Sequence, residues 1–225
     1  MPSNNVTTAT PTAIPDHLKQ LFDNRAKATP AKARLIFSLD ATASRQPTWD
    51  LASSLTDKMF GAIANGLNTQ LVYFRGHSDF FSSRWLASSK ALSDLMQAVT
   101  CRAGITQIER VLGHIERENA REKVAAAVFI GDAYEEVPSH LYFAARRIGS
   151  VPLFMFQEGH DQEVAKVFAT LADISGGAFS KFDAESAQRL AELLRAVAIF
   201  ATGGCDALRA LDSDAARALL TQIKK

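Results

Sequence analysis

Cysteine is nearly absent: the 225 residues contain two, Cys101 and Cys205. Neither has a second Cys or a His at ligand spacing, so a disulfide framework and a cysteine-ligated zinc centre are both excluded. Long apolar runs are missing as well. The longest, Val124–Ile130, is seven residues, against roughly 20 needed to cross a bilayer. There is no surplus of charge of either sign. Lys and Arg number 25 and Asp and Glu 24, which removes the electrostatic case for a dedicated nucleic-acid-binding protein. The polar start, Met1–Thr10, has neither a basic nor an apolar region, so no secretory signal is read and a cytoplasmic location is expected. The glycine-rich signatures GxGxxG and GxxxxGK[ST] do not occur, which speaks against dinucleotide and P-loop nucleotide binding.

A 47% hydrophobic content is that of an ordinary globular protein. Residues 1–14 are rich in Ser, Thr, Asn and Pro and are expected to be disordered. Residues 15–32 read as a short helical extension with Leu18, Leu21 and Phe22 on one face, broken at Thr29-Pro30. Over residues 33–202 short apolar runs alternate with longer segments of helical period. The β-type runs are Leu35–Phe37, Leu71–Phe74, Ala126–Ile130, Pro152–Phe156 and, more weakly, Gly177–Ser180. Asp79–Trp85 reads as a further strand at an edge. Helical stripes recur as Leu51, Leu55, Met59, Ile63; Ile108, Val111, Leu112, Ile115; Val164, Phe168, Leu171, Ile174; and Leu190, Leu193, Leu194, Val197. Another helix is expected from Pro138 to Ile148, stopped by Gly149. This alternation implies an α/β fold with a doubly wound, mainly parallel sheet and helices on both faces. Residues 203–225 form a helical tail with Leu208, Leu211, Leu219 and Ile223. It either packs on the domain or engages a partner.

In such a sheet the functional site lies at the carboxyl ends of the strands. The first strand ends in Asp40-Ala-Thr42-Ala-Ser44: one carboxylate and two hydroxyls at alternate positions. A later strand ends in Gly131-Asp132-Ala133, which brings a second carboxylate to the same edge. Thr106 stands before a helix between them. Oxygen donors of this kind suit Mg²⁺ or Mn²⁺ rather than zinc.

Taken in this order, the residues resemble the von Willebrand factor A (vWA) domain with its metal-ion-dependent adhesion site. Asp40, Thr42 and Ser44 match that family's Asp-x-Ser/Thr-x-Ser element, Thr106 its helix-preceding Thr, and Asp132 its Asp after the fourth strand. The resemblance covers roughly residues 33–202. It implies a Rossmann-like, three-layer domain that holds Mg²⁺ or Mn²⁺ and binds a protein partner through that partner's Asp or Glu, without catalysis. Two departures stand out: Gly131-Asp132-Ala133 replaces Thr-Asp-Gly, and Gly104-Ile105-Thr106 replaces Gly-Gly-Thr.

Plainer readings exist for each residue. Asp40 and Asp132 suit turns, and Thr106 with Glu109 fits a helix capping box. Glu135 and Glu136 stand either behind the metal or as repulsive neighbours of an acidic ligand. Trp49 and Trp85 read as packing residues, and Asp161 and Asp183 as helix N-caps. Two rival functions compete with the binding module. One is a Mg²⁺-dependent phosphohydrolase of the haloacid dehalogenase type, which wants an Asp where Thr42 stands. The other is a metal-free scaffold.

Overall fold

The computed structural model describes residues 33–60, 66–183 and 187–224. The expected disordered start and helical extension lie outside these, as do Ile63 and the side chains of Leu55 and Met59. In chain order the elements are β1 (Ala33–Asp40), a single 3₁₀ turn (Ala43–Arg45), α1 (Gln46–Phe60), β2 (Leu67–Arg75), β3 (Asp79–Ser82), α2 (Ser89–Gln97), α3 (Ile108–Arg121), β4 (Ala126–Gly131), α4 (Pro138–Arg147), β5 (Leu153–Glu158), α5 (Gln162–Ser175), β6 (Ala178–Phe182), α6 (Ala187–Ala210) and α7 (Asp214–Leu220). The six strands form one sheet in the order β3-β2-β1-β4-β5-β6. All pairings are parallel except that of the short edge strand β3 with β2.

Every central strand is apolar on both faces, so each face needs a layer of helices. Along β1, Leu35, Phe37 and Leu39 point into one core with Trp49 of α1, Leu92 of α2, Leu193 of α6 and Leu219 of α7. Ile36 points into the other with Ile108 of α3, Leu141 of α4 and Phe168 of α5. The stripe Ile108, Val111, Leu112, Ile115 is buried throughout, and Leu190, Leu193, Leu194 and Val197 are fully enclosed. Asp161 caps α5, accepting from the Glu163 and Val164 amides at 2.8 and 3.1 Å. Gly149, at φ +71°, follows α4 as expected of the left-handed stop. The residues after Asp183 lie outside the described set, so its capping role does too.

Trp85 departs from the expectation. β3 ends at Ser82, yet the chain stays beside β2: Ser83 N–H donates to Leu71 C=O and Leu86 exchanges both backbone bonds with Thr69, each at 2.8 Å. Trp85, between them, lies beneath the Arg34 guanidinium, 3.9 Å from the ring centroid. Trp85 Nε1 donates to Glu118 at 2.9 Å, and Arg34 Nη2 pairs with the same carboxylate at 2.9 Å. Arg34 is the second residue of β1, so this cluster lies at the end of the sheet opposite Asp40.

The C-terminal tail packs on the domain. α6 runs on past a kink at Gly204, φ +65°, and Leu208, Ala215, Ala216 and Leu219 are enclosed in the core. Gln222 then treats edge strand β6 as a neighbouring strand would. Its side-chain amide accepts from Phe179 N–H and donates to Phe179 C=O, both at 3.0 Å. That contact covers part of an edge that would otherwise be open to pairing.

The sheet's direction of winding reverses between β1 and β4, since β2 continues to one side and β5 to the other. The carboxyl ends of those two strands flank the crevice where α/β sheets bind ligands. Asp40 closes β1 and Asp132 follows β4, so both carboxylates of the sequence reading stand at this point.

Candidate functional site

Asp40 is almost fully enclosed, at 3% exposure. Its Oδ1 accepts from the Thr42 amide at 2.7 Å, an Asx-type turn that bends the chain away from β1. Its Oδ2 is buried with no hydrogen-bond partner. Burial pushes the Asp40 carboxyl up to about 6; hydrogen bonds from Thr42 and the Arg45 charge pull the other way, while Asp132 adds to the rise. Gly131 is the neighbour across the strand pair: a Cβ built there would lie 3.7 Å from that of Asp40.

Asp132 is more open, with its side chain 33% exposed. Ser44 Oγ reaches its Oδ2 at 3.5 Å. Thr42 is half-buried beside Asp40 and Ser44 is exposed. Thus Asp40, Thr42, Ser44 and Asp132 share one corner of the sheet edge.

Two residues missed in the sequence share that corner. Arg45 ends the 3₁₀ turn, and its side chain is only 3% exposed. Its Nη1 pairs with the carboxylate of Glu158 and stands 3.8 Å from Asp132 Oδ2. Glu158 closes β5, and Thr48 Oγ1 also donates to it. A signal was available, since Glu158 lies two residues past the predicted strand Pro152–Phe156, at the same edge as Asp40 and Asp132. Arg45 follows directly on Ser44, but nothing in spacing says that it turns inward.

Thr106 is placed differently from the expectation. Its hydroxyl donates to Glu136 Oε2 at 2.6 Å and accepts from the Glu135 amide at 2.8 Å. Its own amide donates to the Glu135 carboxylate. The capping box with Glu109 does not form: α3 starts at Ile108, and its N-cap, Gln107, makes no side-chain cap bond. The cap comes from another loop instead, because Glu136 Oε1 accepts from Glu109 N–H at 3.2 Å. A carboxylate at a helix N-terminus also meets the positive end of the helix dipole. Glu135 and Glu136 are thus structural ties between the β4–α4 loop and the start of α3. Glu136→Ala is expected to cost about 1–2 kcal/mol in urea unfolding; an unchanged midpoint would deny Glu136 the capping role.

The loop that carries Thr106 is held close to the end of β2. Ile105 N–H donates to Gly76 C=O at 3.1 Å. A Cβ at Gly104 would stand 2.0 Å from that carbonyl oxygen, so only glycine fits there.

The donor set fits a hard divalent cation. Asp40 Oδ2 lacks a partner, Asp132 is open to solvent on one side, and the Ser44 hydroxyl stands beside it. Among the described residues no three His, Cys, Asp or Glu side chains form a ligand group. A cation here would therefore rely on hydroxyls and water to complete its shell, as Mg²⁺ commonly does. Asp40, Asp132 and Glu158 set three carboxylates against the one guanidinium of Arg45.

No family model and no curated protein matches the sequence. Solved structures do match its fold. The SpRpn10 VWA domain superposes with TM-score 0.55 at 9% identity, over 69% of this chain and 90% of that one. The vWF domain of the type V pili tip protein Mfa5 from Porphyromonas gingivalis gives 0.53 at 8% identity, over 76% and 95%. The pilus adhesin SpaC from Lactobacillus rhamnosus GG gives 0.57 at 10% identity, over 78% of this chain and 31% of the adhesin, so the match spans about a third of that protein's length. At these identities the likeness is one of fold: a six-stranded, mostly parallel sheet between helical layers, of the vWA type.

Proposed function

We propose that the chain is a non-catalytic protein-binding module that holds Mg²⁺ or Mn²⁺ at Asp40 and Asp132 and presents it to a partner's Asp or Glu carboxylate. The observation that carries this reading is Asp40 Oδ2, a carboxylate oxygen buried without a partner at the switch point of the sheet. A buried carboxylate with one oxygen left unbonded is costly to keep charged, and a cation at that oxygen offsets the cost. Ser44 and Thr42 supply neutral oxygens from the same turn, so the cation keeps enough positive character to accept one more carboxylate. Thr106 is the remaining proposed ligand; its hydroxyl donates to Glu136 and accepts from the Glu135 amide, which leaves one lone pair for a cation. The vWA-type fold of adhesins and of the SpRpn10 domain supports a protein partner over a small-molecule substrate.

The phosphohydrolase reading is weaker, because Thr42 stands where that chemistry wants a second Asp and because Glu135 and Glu136 are tied to Thr106 and α3. A cytoplasmic setting remains part of the proposal.

Thermal unfolding in chelator, in Mg²⁺ and in Mn²⁺ tests the metal dependence. A ligand of the native state adds about 2.7 kcal/mol at 100 times its dissociation constant. Wild type is expected to melt higher with metal, and Asp132→Ala to melt alike in all three. Coincident wild-type curves at millimolar metal would leave a metal-free scaffold as the better reading.

A further inference from the structure

We propose that Arg45 is a resident counter-cation of this site, and that Glu158 and Thr48 set metal affinity by drawing its guanidinium off Asp132. The inference rests on the metal reading above and assigns its regulation to residues that are not ligands.

The geometry is specific. One nitrogen, Arg45 Nη1, faces two carboxylates; it contacts Glu158 and stands 3.8 Å from Asp132 Oδ2. Glu158 is fixed in turn by the Thr48 hydroxyl, and Thr48 is buried in the first turn of α1. Arg45 itself is enclosed, so its charge is poorly screened by water. A cation at Asp132 therefore meets a second positive charge within ion-pair range. Without Glu158, the guanidinium keeps the Asp132 carboxylate, 3.8 Å from Nη1, as an ion-pair partner and would close on it, taking the oxygen that a metal needs. With Glu158 present, that oxygen stays available, and Ser44 stands beside it at 3.5 Å. Glu158 is thus a positioning residue that acts through Arg45. Ion pairs of this kind set which of two arrangements is occupied as much as they set stability.

The test is Mn²⁺ titration, read from the free-ion electron paramagnetic resonance signal, on wild type and three variants. Circular dichroism and thermal unfolding in chelator establish that each is folded. Arg45→Met is expected to tighten Mn²⁺ binding by about tenfold or more, and Glu158→Gln to weaken it by a similar factor. Arg45→Met leaves Glu158 without its ion-pair partner, and Glu158→Gln leaves the enclosed guanidinium with Asp132 alone, so either single change risks misfolding. The double variant removes both charges, a change that buried pairs often tolerate. In the Glu158→Gln background, adding Arg45→Met is expected to recover Mn²⁺ binding. If wild type binds Mn²⁺ and both comparisons stay within about threefold, Arg45 has no part in the site and the metal reading stands alone. If Arg45→Met binds where wild type does not, Arg45 excludes the ion even with Glu158 present, and the positioning role of Glu158 is overturned. If no variant binds, the metal reading fails and this one fails with it.

Discussion

Replacing Asp40 with Asn is expected to make the metal-free protein more stable at neutral pH. The carboxyl is raised from 3.8 to about 6, chiefly by burial. The charged form is then disfavoured by up to about 3 kcal/mol in the folded state at pH 7. Asn keeps the acceptor for the Thr42 amide and removes the charge. A gain of about 1–3 kcal/mol is expected by urea unfolding in chelator. The sign has a pH signature. A raised folded pKa means stability that is present below about pH 4 and is lost as pH rises through about 6. The advantage of Asp40→Asn should therefore vanish near pH 4. The same substitution is expected to abolish the stabilisation by Mg²⁺, so the variant gains stability and loses function, as is common where a site is kept under strain. A loss of stability at pH 7 in chelator would mean that Asp40 Oδ2 has a partner after all.

His114 gives the second large effect, with the opposite sign. It lies on the inner side of α3, 7% exposed, with Nε2 2.8 Å from Gln70 Oε1 and the Phe80 ring centroid at 5.9 Å. Burial lowers it to about 4; Glu118 opposes this, and Arg117 and Arg121 add to it. The unfolded chain takes up a proton near pH 6.5 that the folded chain refuses until about 4. Stability is thus intact above about pH 6.5 and falls by about 3 kcal/mol as pH drops to 4. Over about pH 4 to 6 the Asp40 and His114 slopes oppose each other, each near 1.4 kcal/mol per unit. Wild type should owe little net pH dependence to the pair. Asp40→Asn should expose the full acid loss of His114, and His114→Gln added to it should flatten the curve. Equal acid slopes in the single and double variants would show that His114 titrates normally in the fold.

The central strands β1, β2, β4 and β5 were legible because they are buried on both faces and read as unbroken apolar runs. Helices α3, α5 and α6 were legible because one apolar stripe of each packs inward, whereas α2 (Ser89–Gln97) was not read at all. Leu35–Phe37 and Ala126–Ile130 each sit within an observed strand. The two carboxylates at the sheet edge followed from strand ends alone. What escaped was side-chain direction over a turn. The Thr106-x-x-Glu109 spacing fits a capping box, yet Glu136 from another loop takes the cap, and no local spacing reports a contact thirty residues away. Arg45 escaped for the same reason, since its partner Glu158 is 113 residues distant. The tail was legible as helical, but its seat on β6 depends on Gln222 meeting Phe179 across 43 residues.

The most direct test is anomalous diffraction from crystals grown in millimolar Mn²⁺. The expected result is one peak at the switch point, within direct ligand distance of Asp40 Oδ2 and Asp132, with Arg45 still on Glu158. A map with no peak at that edge, and the Arg45 guanidinium bridging Asp132 and Glu158, would contradict a metal-holding site.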